Sequence, residues 1–196
     1  MKNRILSVRL SEDERNDQRG DEPAVPDVIM IRNQYPDTTA LHRVLDYACR
    51  SGMIGGYAVD PVYAFREFML VKSAYQNIDG RQLLHFIVSF STTVAYRLSA
   101  DDMLALGYDI CHLFSGHQIV YALHMDSAHC HLHFVVNSVS FEDGKKHFSG
   151  FHDLFPVRDF LQECFPRSNV HIYQSFPDSD VNRFGCSDDD ELLRID

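Results

Sequence analysis

Between residues 124 and 137 the chain reads His-Met-Asp-Ser-Ala-His-Cys-His-Leu-His-Phe-Val-Val-Asn, and no other stretch restricts its fold as much. From His131 onward polar and apolar residues alternate, the two-residue period of a strand with one face in a core. Leu132, Phe134 and Val136 fall on one face; His131, His133, Val135 and Asn137 fall on the other. The run from His117 to His124 predicts a second strand, which makes His117–His124 and His131–Phe141 a hairpin across a six-residue loop. Two imidazoles two residues apart on a rigid strand can grip one metal ion, and His124, ending the facing strand, supplies a third. Neutral imidazoles suit zinc, manganese, iron or nickel, and three of them leave coordination positions for water or substrate. That is a catalytic geometry rather than a structural one. A chance pairing of histidines would bury several costly polar groups on this face with nothing to satisfy them.

The rest of the chain predicts what surrounds the hairpin. Residues 1–27 are poor in apolar side chains after Leu10 and read as a flexible N-terminal segment. Structure is expected from Val28-Ile29-Met30-Ile31. Asp37-Thr38-Thr39 caps a helix over Ala40–Cys49, whose buried face is Leu41, Val44, Leu45 and Ala48, and the glycines at 52, 55 and 56 stop it. A second helix over Ala64–Ala74 has Phe65, Phe68, Met69 and Lys72 at three-to-four spacing. A strand follows over Leu83–Phe90, with His85, Ile87 and Ser89 on one face. Ser99 caps a helix from Ala100 to about Phe114, and a further helix over about His152–Phe165 precedes a short strand at Val170–Tyr173. Residues 178–196 read as an acidic C-terminal tail. Helices and strands alternate without the regular beat of a parallel sheet. The expected class is therefore α+β, a central antiparallel sheet covered by helices, with one domain over residues 28–177.

Composition narrows the function. No apolar run approaches the ~18–20 residues of a membrane span, and five scattered cysteines without a Cys-x-x-Cys argue for a reducing, cytoplasmic setting. The net charge is −10, but residues 28–177 contribute only −3 of it and hold all eleven histidines. Long-range steering toward nucleic acid is therefore weak without being opposed by the central region. Outside the motif, His129 in the hairpin loop and His85 on the neighbouring strand are candidates to support the site. His42, His112, His117, His152 and His171 read as surface or structural residues.

In its residue order the motif resembles a known family. A His-x-Asp (His124, Asp126), then His-x-His seven residues after the first His, then Asn137, is similar to the third motif of conjugative relaxases, mobilisation nucleases of the His-hydrophobic-His superfamily. His85-Phe86-Ile87-Val88-Ser89-Phe90 resembles that family's His-containing strand ending in Ser-Phe. The segment Asn137–Lys145 is similar to the one following the metal motif. Leu45-Asp46-Tyr47-Ala48-Cys49-Arg50-Ser51-Gly52 resembles the first motif, which carries a nucleophilic tyrosine. The likeness covers about residues 38–165 in order.

The resemblance implies a two-layer sandwich with the three-histidine site on the sheet surface. It implies a metal-dependent, site- and strand-specific nickase that forms a transient phosphotyrosine link to single-stranded or hairpin DNA at a plasmid or integrative-element transfer origin. Tyr47 would attack, and His124, His131 and His133 would hold one divalent ion (manganese, magnesium or zinc). Asp126 would position or activate, and Asn137 would orient the site. For the tyrosine to act, the end of its helix must overhang the His131–His133 strand. Tyr35 and Tyr57 are rival nucleophiles by residue type. Arg43, Arg50, Lys72, Arg81, Lys145 and Lys146 are the candidate DNA contacts, and accessory mobilisation or coupling proteins are the further partners implied. Two other readings stay open: a relaxase-fold module that binds DNA or a partner without turnover, and an unrelated three-histidine metalloenzyme such as a cupin-like oxygenase. A cupin should show a Gly-rich all-β pattern and a glutamate ligand near its histidines.

Overall fold

Helix boundaries follow the capping chemistry. Helix α1 (Thr38–Ala48) starts at Asp37, whose carboxylate accepts the Ala40 N–H at 2.7 Å and so satisfies a donor that the first turn leaves without a helical partner. Helices α2 (Ala64–Ala74) and α3 (Thr92–Ala95) follow. Helix α4 (Ala100–Cys111) is entered through a full capping box: Ser99 accepts the Asp102 N–H while the Asp102 carboxylate accepts the Ser99 N–H. Helix α5 (Phe155–Cys164) carries Pro156 in its first turn, where a missing N–H costs nothing. The computed structural model describes residues 28–32, 35, 37–125, 130–148, 151–168 and 170–174. The N-terminal segment, the acidic tail, Asp126 and His129 lie outside the described residues.

Six strands form one sheet: β1 (Val28–Arg32), β2 (Ile54–Tyr57), β3 (Leu83–Ser89), β4 (Ile119–His124), β5 (His131–Asn137) and β6 (His171–Gln174), in the order β2-β4-β5-β3-β1-β6. Every pairing is antiparallel except that of β1 with the edge strand β6. The class is α+β, as expected, and its helices divide between the two faces. Against one face, α4 and α5 bring Met103, Leu106, Ile110, Val157 and Leu161 onto Phe86, Tyr121, Leu132, Phe134 and Val136. Phe86 and Phe134 stack there at 4.6 Å between centroids and 5° between planes. Truncating Phe134 to alanine in this close-packed layer costs about 3–5 kcal/mol. Against the other face, α1 and α2 place Leu41, Val44, Leu45, Ala48 and Phe68 on Leu83, Val120, Ala122 and Val135.

The β4–β5 hairpin forms with His124 paired to His131, although β4 starts at Ile119 and β5 stops at Asn137, both inside the predicted limits. Strand β2 was not legible, because Gly55 and Gly56 read as helix breakers. Their small size is what admits the strand here. A Cβ on Gly55 would overlap the Tyr121 ring, and one on Gly56 would overlap the Val59 carbonyl.

Candidate metal centre

The register of three strands builds the site. His124 and His131 are directly cross-paired, and His133 lies two residues further along β5 on the same face, opposite Ala122 and Ile87. Ring centroids stand 4.5 Å apart for His124–His133, 4.9 Å for His131–His133 and 5.3 Å for His124–His131. One nitrogen from each of the three lies within 4.8 Å of the others, a spacing that could hold a metal ion. His124 and His133 are buried and His131 half-buried, so the cluster opens toward one side.

Two rings are oriented by what their other nitrogens do. His124 Nε2 lies 2.9 Å from the Ala48 carbonyl, which can only accept; Nε2 therefore carries the proton and Nδ1 the lone pair. Ala48 ends α1 and leads into the 3-10 turn Cys49–Ser51, so its carbonyl lies where the regular α-helical ladder gives way and is open to a bond from outside the helix. His133 Nδ1 lies 3.0 Å from His85 Nε2, which leaves Nε2 as its ligand atom. Three imidazole nitrogens with two orientations fixed from outside form a donor set that fits a divalent transition metal.

The same helix end brings in a phenol. The half-buried Tyr47 ring stands 5.3 Å from the His133 ring, edge-on, and 5.7 Å from His124. The α1 end thus overhangs the histidines, the placement that the first motif requires. Tyr57 pairs with Ile119 at the far end of β4, and its ring packs on Tyr108 and His112. Tyr35 is buried, with its hydroxyl 3.2 Å from His85 Nδ1. Of the three tyrosines, only Tyr47 combines contact with the cluster and partial exposure.

Comparison with known proteins identifies the family. The family model of the MobA/VirD2-like relaxase nuclease domain matches residues 46–165, more than half of the chain, and takes in Tyr47 and all three histidines. The chain belongs to this relaxase family. It is similar to two Staphylococcus aureus proteins named Protein rlx. One is 30% identical over 120 residues, covering 60% of this chain and 37% of the relative. The other is 26% identical over 145 residues, covering 73% and 43%. The chain thus spans less than half the length of either curated relative. No solved structure matches it.

Other residues singled out in the relaxase sequence fall elsewhere. Asn137 sits four residues beyond His133, about 13 Å at the usual strand rise. Its amide donates to the Phe68 carbonyl and to Gln118 Oε1, and its oxygen accepts the Val139 N–H, so it braces the opposite end of the hairpin. Lys72 requires a correction as a DNA contact. It is fully buried, with Nζ donating to the Gln82 carbonyl at 2.7 Å and Ser138 Oγ at 3.0 Å, and burial lowers its pKa to about 7. Arg81 donates to the Phe148 carbonyl and Lys146 to the Asp79 carbonyl, while Lys145 stands 3.5 Å from Asp143. Arg43 and Arg50, on and just after α1, are exposed. Sequence reasoning missed two partners of the site, the Ala48 carbonyl and the Tyr35 hydroxyl. The first follows from the helix end; no local pattern announces the second.

Among the described residues, no helix is long and apolar enough to cross a membrane.

Proposed function

We propose that this chain is a metal-dependent, strand-specific DNA nickase that attaches itself through Tyr47 to single-stranded DNA at a transfer origin. The observation that carries the reading is the contact of the Tyr47 ring with His124 and His133. In this scheme Tyr47 Oη attacks the scissile phosphorus, the 3′-oxygen leaves, and the 5′-phosphate stays bonded to the tyrosine. A phenol with a pKa near 10 is a weak nucleophile at neutral pH, so its proton must be accepted as the bond forms. Asp126, two residues after His124 in the sequence, is assigned that acceptor or positioning role through the motif, with His129 as a further supporting candidate. His124, His131 and His133 hold the ion, and their all-nitrogen set favours zinc or manganese over magnesium. An ion held there would supply Lewis-acid neutralisation of the charge that builds up on the phosphate during the attack. Arg43 and Arg50, exposed and within four residues of Tyr47 in sequence, are the cations assigned to contact the DNA backbone. Arg81, Lys145 and Lys146 remain candidates for a longer DNA segment or for accessory mobilisation proteins.

The test is covalent capture. Protein loaded with manganese is incubated with single-stranded oligonucleotides tiled across candidate origins, and detergent-resistant adducts are mapped by mass spectrometry. An adduct at Tyr47, abolished in Tyr47→Phe with metal and strand binding retained, is the expected result. An adduct on Tyr35 or Tyr57 would move the nucleophile. Tight strand binding with no adduct on any oligonucleotide would favour the binding-module reading.

A further inference from the structure

From the metal centre a chain of three buried polar rings leads through His133 to His85 and Tyr35. The Tyr35 hydroxyl is 3.2 Å from His85 Nδ1, and His85 Nε2 is 3.0 Å from His133 Nδ1. Their rings are 5%, 1% and 1% exposed. The sheet produces this line directly. His85 is opposite Val135 in the β3–β5 ladder and His133 is opposite Ile87, so the two histidines are diagonal neighbours on one face, stacked at 5.3 Å and 18°. Tyr35 is held over the start of the same strand because its carbonyl accepts the Gln82 N–H at 2.8 Å.

A neutral imidazole has one N–H and one lone pair, so each hydrogen bond in such a line fixes the next. If His133 Nε2 is to ligate, its proton must sit on Nδ1 and be donated to His85 Nε2. His85 must then carry its own proton on Nδ1 and donate it to the Tyr35 oxygen. The reverse direction would put a proton on the ligand atom of His133 and block it. We propose that Tyr35 and His85 are positioning residues that impose the ligating tautomer on His133, a buried relay ending on a phenol where a carboxylate or carbonyl is the more usual terminus. The inference rests on the metal-centre reading above. It assigns Tyr35, a nucleophile candidate by residue type, a structural role that its burial suits and catalysis does not.

The experiment reads tautomers in the intact chain and affinity in variants. Long-range 1H–15N correlation spectra of histidine-labelled protein titrated with Zn(II) should show His85 and His133 both protonated on Nδ1, with His133 Nε2 shifting on zinc addition. Zinc affinity measured by calorimetry should fall about 10–100-fold in His85→Leu, recover most of that in His85→Gln, whose amide oxygen can accept from His133, and fall only a few-fold in Tyr35→Phe. The Co(II) absorption band should change in His85→Leu and return toward wild type in His85→Gln. A zinc-loaded wild type with His85 protonated on Nε2 would overturn the relay, as would His85→Leu with unchanged zinc affinity and cobalt spectrum. Either result would leave the metal centre standing, provided His133→Ala loses zinc. Wild-type protein that binds neither zinc nor cobalt would overturn both.

Discussion

Buried polar side chains gather at both ends of the β4–β5 hairpin, yet the two groups differ in what they do. At one end His124, His131 and His133 point nitrogens at each other across less than 4.8 Å. At the other, Asn137, Gln118, His117, Ser138 and Lys72 are buried just as deeply, but they donate to and accept from their neighbours. Val120, Ala122 and Val135 separate the two groups. Polar burial by itself therefore does not mark a site. Convergence of like ligands marks one, because three lone pairs brought together gain nothing from each other and gain much from a cation. Complementary donors and acceptors, by contrast, close on themselves and brace the fold.

Substitutions at each end test this contrast. The largest effect is expected at the histidine end: His131→Ala or His133→Ala should weaken zinc or manganese binding by at least about 100-fold in calorimetry. The urea midpoint measured without metal should move far less. At the other end Asn137→Ala should do the opposite. It leaves Gln118 Oε1 without the Asn137 donor and the Phe68 carbonyl with its helical donor alone, and should cost about 1–3 kcal/mol in urea unfolding. Metal affinity should stay within a factor of two. An Asn137 variant that lost metal while keeping its stability would erase the distinction between the ends.

The smallest effect belongs to Lys72. Burial lowers its pKa from 10.5 to about 7 in the folded chain, so between those values the unfolded chain holds a proton that the native one does not. Stability should therefore rise with pH through that window, at no more than about 1.4 kcal/mol per unit. Between pH 7.5 and 9 this group should add roughly 1–2 kcal/mol, and Lys72→Met should remove that slope in urea titrations. An unchanged slope would mean that the ammonium is accommodated in its charged form.

Much of this was legible because local rules and tertiary packing agree. The alternation after His131 sets which residues of β5 face the ligands. Asp37 and Ser99 start helices where side-chain chemistry says they should. Lys72 shows two local signals in conflict: its spacing from Phe68 puts it on the apolar face of α2, while its charge put it among the DNA contacts. The structure follows the spacing. What was illegible depends on residues far apart in sequence. Strand β2 exists because Tyr121 lies over Gly55. The bracing role of Asn137 depends on Phe68 and Gln118, and Tyr35 meets His85 across a separation of 50 residues. The motif named the three histidines that cluster; nothing local could name what orients them.

The bond from His124 to the Ala48 carbonyl has one more consequence. A ligand of the metal centre and the last turn of the helix bearing Tyr47 share a hydrogen bond, so neither can rotate without disturbing the other. Under the proposed mechanism, an ion at one and a strand at the other would be coupled through that bond, and such coupling is reciprocal. Whatever factor the ion contributes to seating a DNA strand against Tyr47, the seated strand returns to the retention of the ion. An ion that helped to seat the strand would, under that mechanism, be held more firmly while the strand is in place.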